Sequence, residues 1–200
     1  MAQKLNEELD IDSKEFLRMA KEGYMFPDTY LIPRTATSAS IAQLFLDTFN
    51  KKVTAQMRED AQKTGLSFDQ VITMASIVER EGRTNDDRPI IAGILLKRLQ
   101  AGWPLQADST LQFILGYQAD QKTWWKKGVD SADKLLNSAY NTYRNVGLPP
   151  APIANPGLAS IKAVIYPSDS PYWFYLHDDK GVVHYAKTLE EHNANIEKYL

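Results

Sequence analysis

Two glutamates stand two positions apart in "ITMASIVEREGR", residues 72–83, a stretch that is otherwise mostly apolar. Carboxylates are almost never fully buried without a partner, so Glu79 and Glu81 are the first candidates for chemistry. A carboxyl shielded from water keeps its proton more readily and can serve as a general acid. At about 100° per residue, Val71, Ile72, Met74, Ala75, Ile77 and Val78 fill a broad helical arc. Thr73, Ser76, Arg80 and Arg83 fill the opposite one. Both glutamates fall inside the apolar arc, near its two margins, and point about 160° apart. That divergence disfavours their flanking one bond as a two-carboxylate glycosidase pair. The alternative for each is an ion pair with an arginine nearby in sequence: Arg80, Arg83, Arg88 or Arg98. Helical spacing leaves acid and ion pair both open.

The elements that must position these residues read as α+β, with more helix than strand and a small antiparallel hairpin. Residues 5–22 hold helix formers, with Asp12 or Ser13 as a cap. Residues 22–33, "EGYMFPDTYLIP", are aromatic and broken by Pro27 and Pro33, which predicts an irregular segment against the core. "TSASIAQLFLDTFNKKV" is an amphipathic helix with Ile41, Leu44, Phe45 and Phe49 on one face. Ser67 and Gln70 form a capping-box pattern that opens the helix of the two glutamates. A further helix starts near Asp87, with Pro89 in its first turn, and ends at Gly102. "WPLQADSTLQFIL" mixes polar and apolar positions, and 138–157 is loop-like, with four prolines and two glycines. "LASIKAVIYP" predicts a helix, "YWFYLHD" and "GVVHYA" a strand pair, and "LEEHNANIEKYL" a closing helix.

Composition narrows the classes. A net charge of −2 and no basic stripe argue against a nucleic-acid binder. The chain has no cysteine, which excludes thiol catalysis, disulfides and cysteine-ligated metal. His177, His184 and His192 fit no short zinc motif, so neither metal nor cofactor is expected. No apolar run approaches the roughly 18 residues of a membrane span. The start "MAQKLNEELD" has no signal-peptide pattern.

Five blocks in fixed order carry a resemblance: "EGYMFPDTY", "MASIVEREG", "LQADSTLQF", "YNTYRNVGLPPAPIANPG" and "HYAKTLEEHN". Together they closely resemble the MltG-type, YceG-like endolytic murein transglycosylases, from about residue 20 onward. The resemblance implies a lysozyme-like catalytic helix that bears the acidic residue. It also implies a lyase that cuts the β-1,4 bond between N-acetylmuramic acid and N-acetylglucosamine within peptidoglycan, leaving 1,6-anhydromuramyl ends. It makes Glu79 the catalytic acid and Glu81 a supporting, substrate-side residue. Such an acid must hold its proton near neutral pH, which an apolar pocket favours; Glu79, between Ile72 and Ala75, meets that requirement. Gln106, Asp108 and Thr110 match the sugar-contacting block, with a turn network as their alternative role. Tyr140, Asn141, Thr142 and Tyr143 offer stacking and amide contacts, and Ile153 and Asn155 contacts from a proline-stiffened wall. Residues 1–20 are expected to be the remnant of a LysM-like module or a linker, and 21–200 the catalytic domain. The partners implied are peptidoglycan strands and cell-wall synthases, on the extracytoplasmic side, with a membrane anchor in the full-length protein.

Two rivals remain: a non-catalytic peptidoglycan-binding scaffold, and a hydrolytic muramidase that uses Asp108 as its acidic partner. The loop cluster Trp124–Trp125–Lys126–Lys127 is expected to anchor itself rather than touch glycan or membrane.

Overall fold

The computed structural model describes residues 1–200 and carries nine α-helices and one two-stranded sheet. The helices are α1 (Ala2–Leu9), α2 (Ser13–Met19), α3 (Ser38–Lys52), α4 (Ala55–Ala61), α5 (Phe68–Glu81), α6 (Asp87–Gln100), α7 (Asp108–Leu115), α8 (Leu158–Ile165) and α9 (Leu189–Tyr199). Strands β1 (Phe174–His177) and β2 (Val183–Ala186) pair antiparallel, with Phe174 opposite Ala186 and His177 opposite Val183. The class is α+β, as the sequence predicts.

Helix α5 is the axis. Its N-terminus is fixed by the expected capping box: Gln70 N–H donates to the Ser67 hydroxyl, and the Gln70 side chain accepts from Ser67 N–H. From Val71 to Val78 every side chain is buried, because α6, α7 and α8 pack around it. A helix buried on all faces belongs at the centre of a fold. Thr73 and Ser76, assigned to a polar arc by spacing, therefore lie inside. Thr73 Oγ1 donates to Asp69 O, and Ser76 Oγ donates to Thr73 O, so their hydroxyls are satisfied by their own helix. Polar side chains that bond backward in this way do not mark a solvent face.

α6 packs its Ile91, Ile94 and Leu95 inward, and Gly93 lets the segment after α8 approach closely. A Cβ at Gly93 would stand 2.2 Å from Ser168 O, which no real side chain tolerates. The opening segment is two helices rather than one. Asp10 adopts a left-handed conformation at φ 56°, and Asp12 then caps α2 through Lys14 N–H and Glu15 N–H. Leu5, Ile11 and Phe16 from this segment join the same core as α5. Two helices were not anticipated. Thr54 caps α4, and α7 begins after Ala107 with no side-chain cap to announce it. No helix is long and apolar enough to cross a membrane.

Candidate functional site

The last turn of α5 carries Glu79 and Glu81 out of the core on two different sides. Ile72 and Ala75 beneath Glu79 are fully buried, but the carboxyl itself meets polar groups. Its Oε2 accepts from Gly157 N–H at 3.0 Å and from the Ser160 hydroxyl at 2.7 Å. These donors come from the N-terminus of α8, where glycine stands at the cap position and brings no capping side chain of its own. Glu79 supplies the missing acceptor from another helix, and the positive end of the α8 dipole faces its charge. Oε1 lies 3.8 Å from Arg88 Nη2, and the Glu79 side chain keeps 28% of its surface exposed. The Arg88 stem lies over Gly82, where a Cβ would meet it at 2.5 Å. The glycine after α5 is thus what brings this arginine near Glu79. Of the arginines near in sequence, Arg88 is the one that stands beside Glu79.

Glu81 faces a different group. Its Oε1 accepts from Ser109 N–H at 3.1 Å and its Oε2 from the Tyr175 hydroxyl at 3.1 Å. It makes no ion pair, and burial, with the Asp108 carboxylate adding to it, pushes its pKa up. Burial also raises Tyr175 well above its ordinary value, with the Glu81 charge beside it. Asp108 accepts from the Tyr143 hydroxyl at 2.5 Å, and burial together with the Asp108 charge raises Tyr143. Arg98, only 6% exposed, closes this group from below by donating to Leu105 O and Trp173 O. Between the two centres Arg80 points outward, its guanidinium 3.7 Å from the Trp125 ring centroid. The tryptophan loop is thereby pinned to the end of α5, as an anchor.

The remaining predicted residues separate by exposure. Gln106, in a left-handed conformation at φ 52°, and Asp108 are exposed beside Glu81. Tyr143 is half-buried with its hydroxyl on Asp108, and Tyr140 is half-buried against Phe113 at 4.9 Å. Four others are buried and engaged inside the structure. Thr110 and Thr142 join their hydroxyls and hold Ala107 through its carbonyl and N–H. Asn141 donates to Lys134 O and Leu136 O and accepts from Tyr143 N–H. Ile153 is buried, with its N–H on Ser76 Oγ. Asn155 keeps some exposure, yet both ends of its amide are engaged by Gly23 N–H, Met25 N–H and Glu22. It stitches the proline wall to the 22–25 segment.

Sequence reasoning did not single out Gly157, Ser160, Ser109 or Tyr175. One signal for the first two was readable: a helix opening at Gly157 needs an acceptor from elsewhere. The histidines lie apart from both glutamates' hydrogen bonds. His184 stacks on Tyr199, His192 on Phe174, and His177 meets Tyr175 edge-on. No group of three or more His, Cys, Asp or Glu side chains is placed to hold a metal ion.

The raised pKa of Glu81 has a measurable consequence. The folded chain keeps this proton at pH values where the unfolded chain has lost it. Its contribution to stability is therefore intact at low pH and declines as pH rises above the ordinary carboxylate range. Melting curves of wild type and Glu81→Gln from roughly pH 4 to 8 are expected to show wild type losing ground to the variant as pH rises. A pH-independent difference between the two would contradict the buried, proton-holding state of Glu81.

The α+β fold thus ends its buried central helix in two separate carboxyl centres, Glu79 held by the start of α8 and Glu81 by Ser109 and Tyr175. The chain belongs to the YceG-like family, whose model matches residues 1–198. It is 36% identical over 180 residues to an endolytic murein transglycosylase of Bacillus subtilis, covering 90% of this chain and 48% of that protein. It is 32% identical over 184 residues to the Streptococcus pneumoniae protein of the same name, covering 92% of this chain and 33% of that one. A crystal structure of a yceG-like protein from Listeria monocytogenes superposes with a TM-score of 0.77 at 32% identity, over 96% of this chain and 62% of that one. The chain spans about half the length or less of the curated relatives it matches.

Proposed function

We propose that this chain cuts murein glycan strands as an endolytic lytic transglycosylase, with Glu79 as its single acid–base residue. The observation that carries this is the clamp on Glu79. Two donors hold Oε2, while Oε1, 3.8 Å from Arg88 Nη2, accepts no hydrogen bond and would carry the proton that the mechanism moves. In the first step Glu79 gives that proton to the glycosidic oxygen between N-acetylmuramic acid and N-acetylglucosamine as the C1–O bond breaks. In the second the 6-hydroxyl of the same muramyl residue attacks C1, and Glu79 takes up its proton. The carboxyl is regenerated, no water is consumed, and a 1,6-anhydro end forms. One carboxyl suffices because the nucleophile belongs to the substrate, whereas a hydrolase needs a second group. Gln106, Asp108, Tyr143, Tyr140 and Glu81 would bind sugar, with Thr110, Asn141, Thr142, Ile153 and Asn155 holding their loops.

Relatives named for murein cleavage support the substrate class. The physiological setting that goes with it is extracytoplasmic strand termination during wall growth, alongside cell-wall synthases and with an anchor in the full-length protein. Residues 1–20 would be the remnant of a LysM-like module or a linker, packed on the core through Leu5, Ile11 and Phe16. The muramidase rival needs Asp108 to activate water opposite Glu79. Against it, Asp108 is bonded to Tyr143 and borders Glu81, on the other side of α5.

Product chemistry tests the proposal. Digestion of peptidoglycan in ¹⁸O-labelled water is expected to yield anhydro ends, one water lighter than hydrolytic ends and free of label at the new muramyl terminus. Labelled reducing ends as the main product would overturn it in favour of hydrolysis, and no cleavage would favour a scaffold.

A further inference from the structure

Beyond the two glutamates the most developed surface feature lies where α6 ends. Trp103 is 45% exposed although it is one of the largest apolar side chains in the chain. Its ring centroid stands 4.7 Å from that of Trp173, and the two indoles tilt by 40°. Lys97 places its ammonium 4.8 Å from the Trp173 centroid and donates to Ser170 O at 2.8 Å. Lys97 has no carboxylate within ion-pair distance, whereas Lys63 across the cavity is paired with Asp60. Lys97 also forms one wall of a cavity of about 350 Å³, shared with Thr64, Gln100 and Ser168 and edged by the exposed Asp169. Ser170 Oγ lines this cavity, buried and without a hydrogen-bond partner. The cavity floor is rigid, because Gly93 and Ser168 meet there backbone to backbone.

These features are chemically complementary to one ligand type. An exposed indole such as Trp103, braced from behind by the half-buried Trp173, packs well on the apolar C–H face of a pyranose ring. An ammonium beside it with no carboxylate partner favours an anionic substituent. The platform is also continuous with the candidate site. Trp173 stands directly before β1, whose Tyr175 holds Glu81, and its carbonyl accepts from Arg98, which braces the Glu81 group.

We propose that Trp103, Trp173 and Lys97 form a distal glycan subsite that holds a sugar ring of the murein strand, with a stem-peptide carboxylate at Lys97. The proposal rests on the murein reading for its ligand, but its test does not require cleavage. The Glu79→Gln chain, which should leave the strand intact, is titrated with soluble murein tetrasaccharides with and without stem peptides, by calorimetry and tryptophan fluorescence. Adding Trp103→Ala is expected to weaken binding about tenfold, the scale of a central aromatic anchor. Trp103→Phe should recover most of that loss, and should keep the melting temperature near that of the parent chain because an aromatic ring still packs on Trp173. Lys97→Gln should lower affinity for peptide-bearing oligomers and leave peptide-free ones unaffected. Equal affinities with and without Trp103, or no binding of any tetrasaccharide, would overturn the subsite. Trp103-dependent binding by a wild-type chain that cuts nothing would sustain the subsite and sink the catalytic proposal. Cleavage together with Trp103-independent binding would do the reverse.

Discussion

Replacing Glu79 by glutamine is expected to abolish strand cleavage while the chain stays folded. The amide oxygen of glutamine can accept from Gly157 N–H and Ser160 much as Oε2 does, so the cap on α8 survives. Position 79 is also partly exposed and lies outside the core, so the loss of its charge at the α8 N-terminus is expected to cost only about 1–2 kcal/mol. What is lost is the only proton the mechanism moves. General acid–base catalysis contributes ~10²–10⁴-fold, and with no second carboxyl bonded to this centre nothing nearby replaces it. Muropeptide release by mass spectrometry, with a melting curve on the same sample, separates a dead site from a broken fold. A folded Glu79→Gln protein that releases anhydro-muropeptides at near wild-type rate would remove Glu79 from the mechanism. A folded but inactive Glu81→Gln beside an active Glu79→Gln would transfer the role to Glu81.

The divergence of the two glutamates was legible from helical geometry alone, because a 200° step between positions 79 and 81 survives any packing. The Ser67–Gln70 box and the strand pair were legible for the same reason: local hydrogen bonds and period-two alternation decide them. The chemistry at each carboxyl was not. Apolar neighbours on the α5 surface suggested an apolar setting for Glu79, yet its oxygens reach past them to the start of α8, 78 and 81 residues onward. Conversely the carboxyl that burial raises is that of Glu81, and its partners Ser109 and Tyr175 lie 28 and 94 positions away. Asn141 and Thr142 show the opposite failure. Their polar types suit sugar binding, but Asn141 bonds to the backbone of Lys134, Leu136 and Tyr143, and Thr142 to Ala107 and Thr110 at the start of α7. A residue type states what bonds can form and not which are already taken.

Arg98→Met is expected to produce the largest loss of stability among substitutions around the site, and to lower cleavage with it. Arg98 donates to Leu105 O at 2.7 Å and to Trp173 O at 2.9 Å, and its guanidinium carbon lies 5.2 Å from the Phe174 ring centroid. Those two carbonyls belong to the segment leading into Gln106 and Asp108 and to the start of β1, which brings Tyr175 to Glu81. One buried cation therefore ties both walls of the Glu81 centre to α6. Hydrogen bonds to a charged group contribute ~1.5–3 kcal/mol each, and methionine leaves both carbonyls without this donor. The expected cost is about 3–5 kcal/mol, which for a chain of this length lowers Tm by roughly 6–20 °C. Arg98→Lys should recover less than half of it, since a single ammonium cannot span two carbonyls as a planar fork does. Thermal or urea unfolding of the two variants measures this directly. A methionine variant within about 0.5 kcal/mol of wild type would show that the two segments hold their places without Arg98. The same preparations at a temperature where both remain folded report the site. Cleavage should fall in Arg98→Met even there, because the residues that Arg98 positions would no longer be held against Glu81.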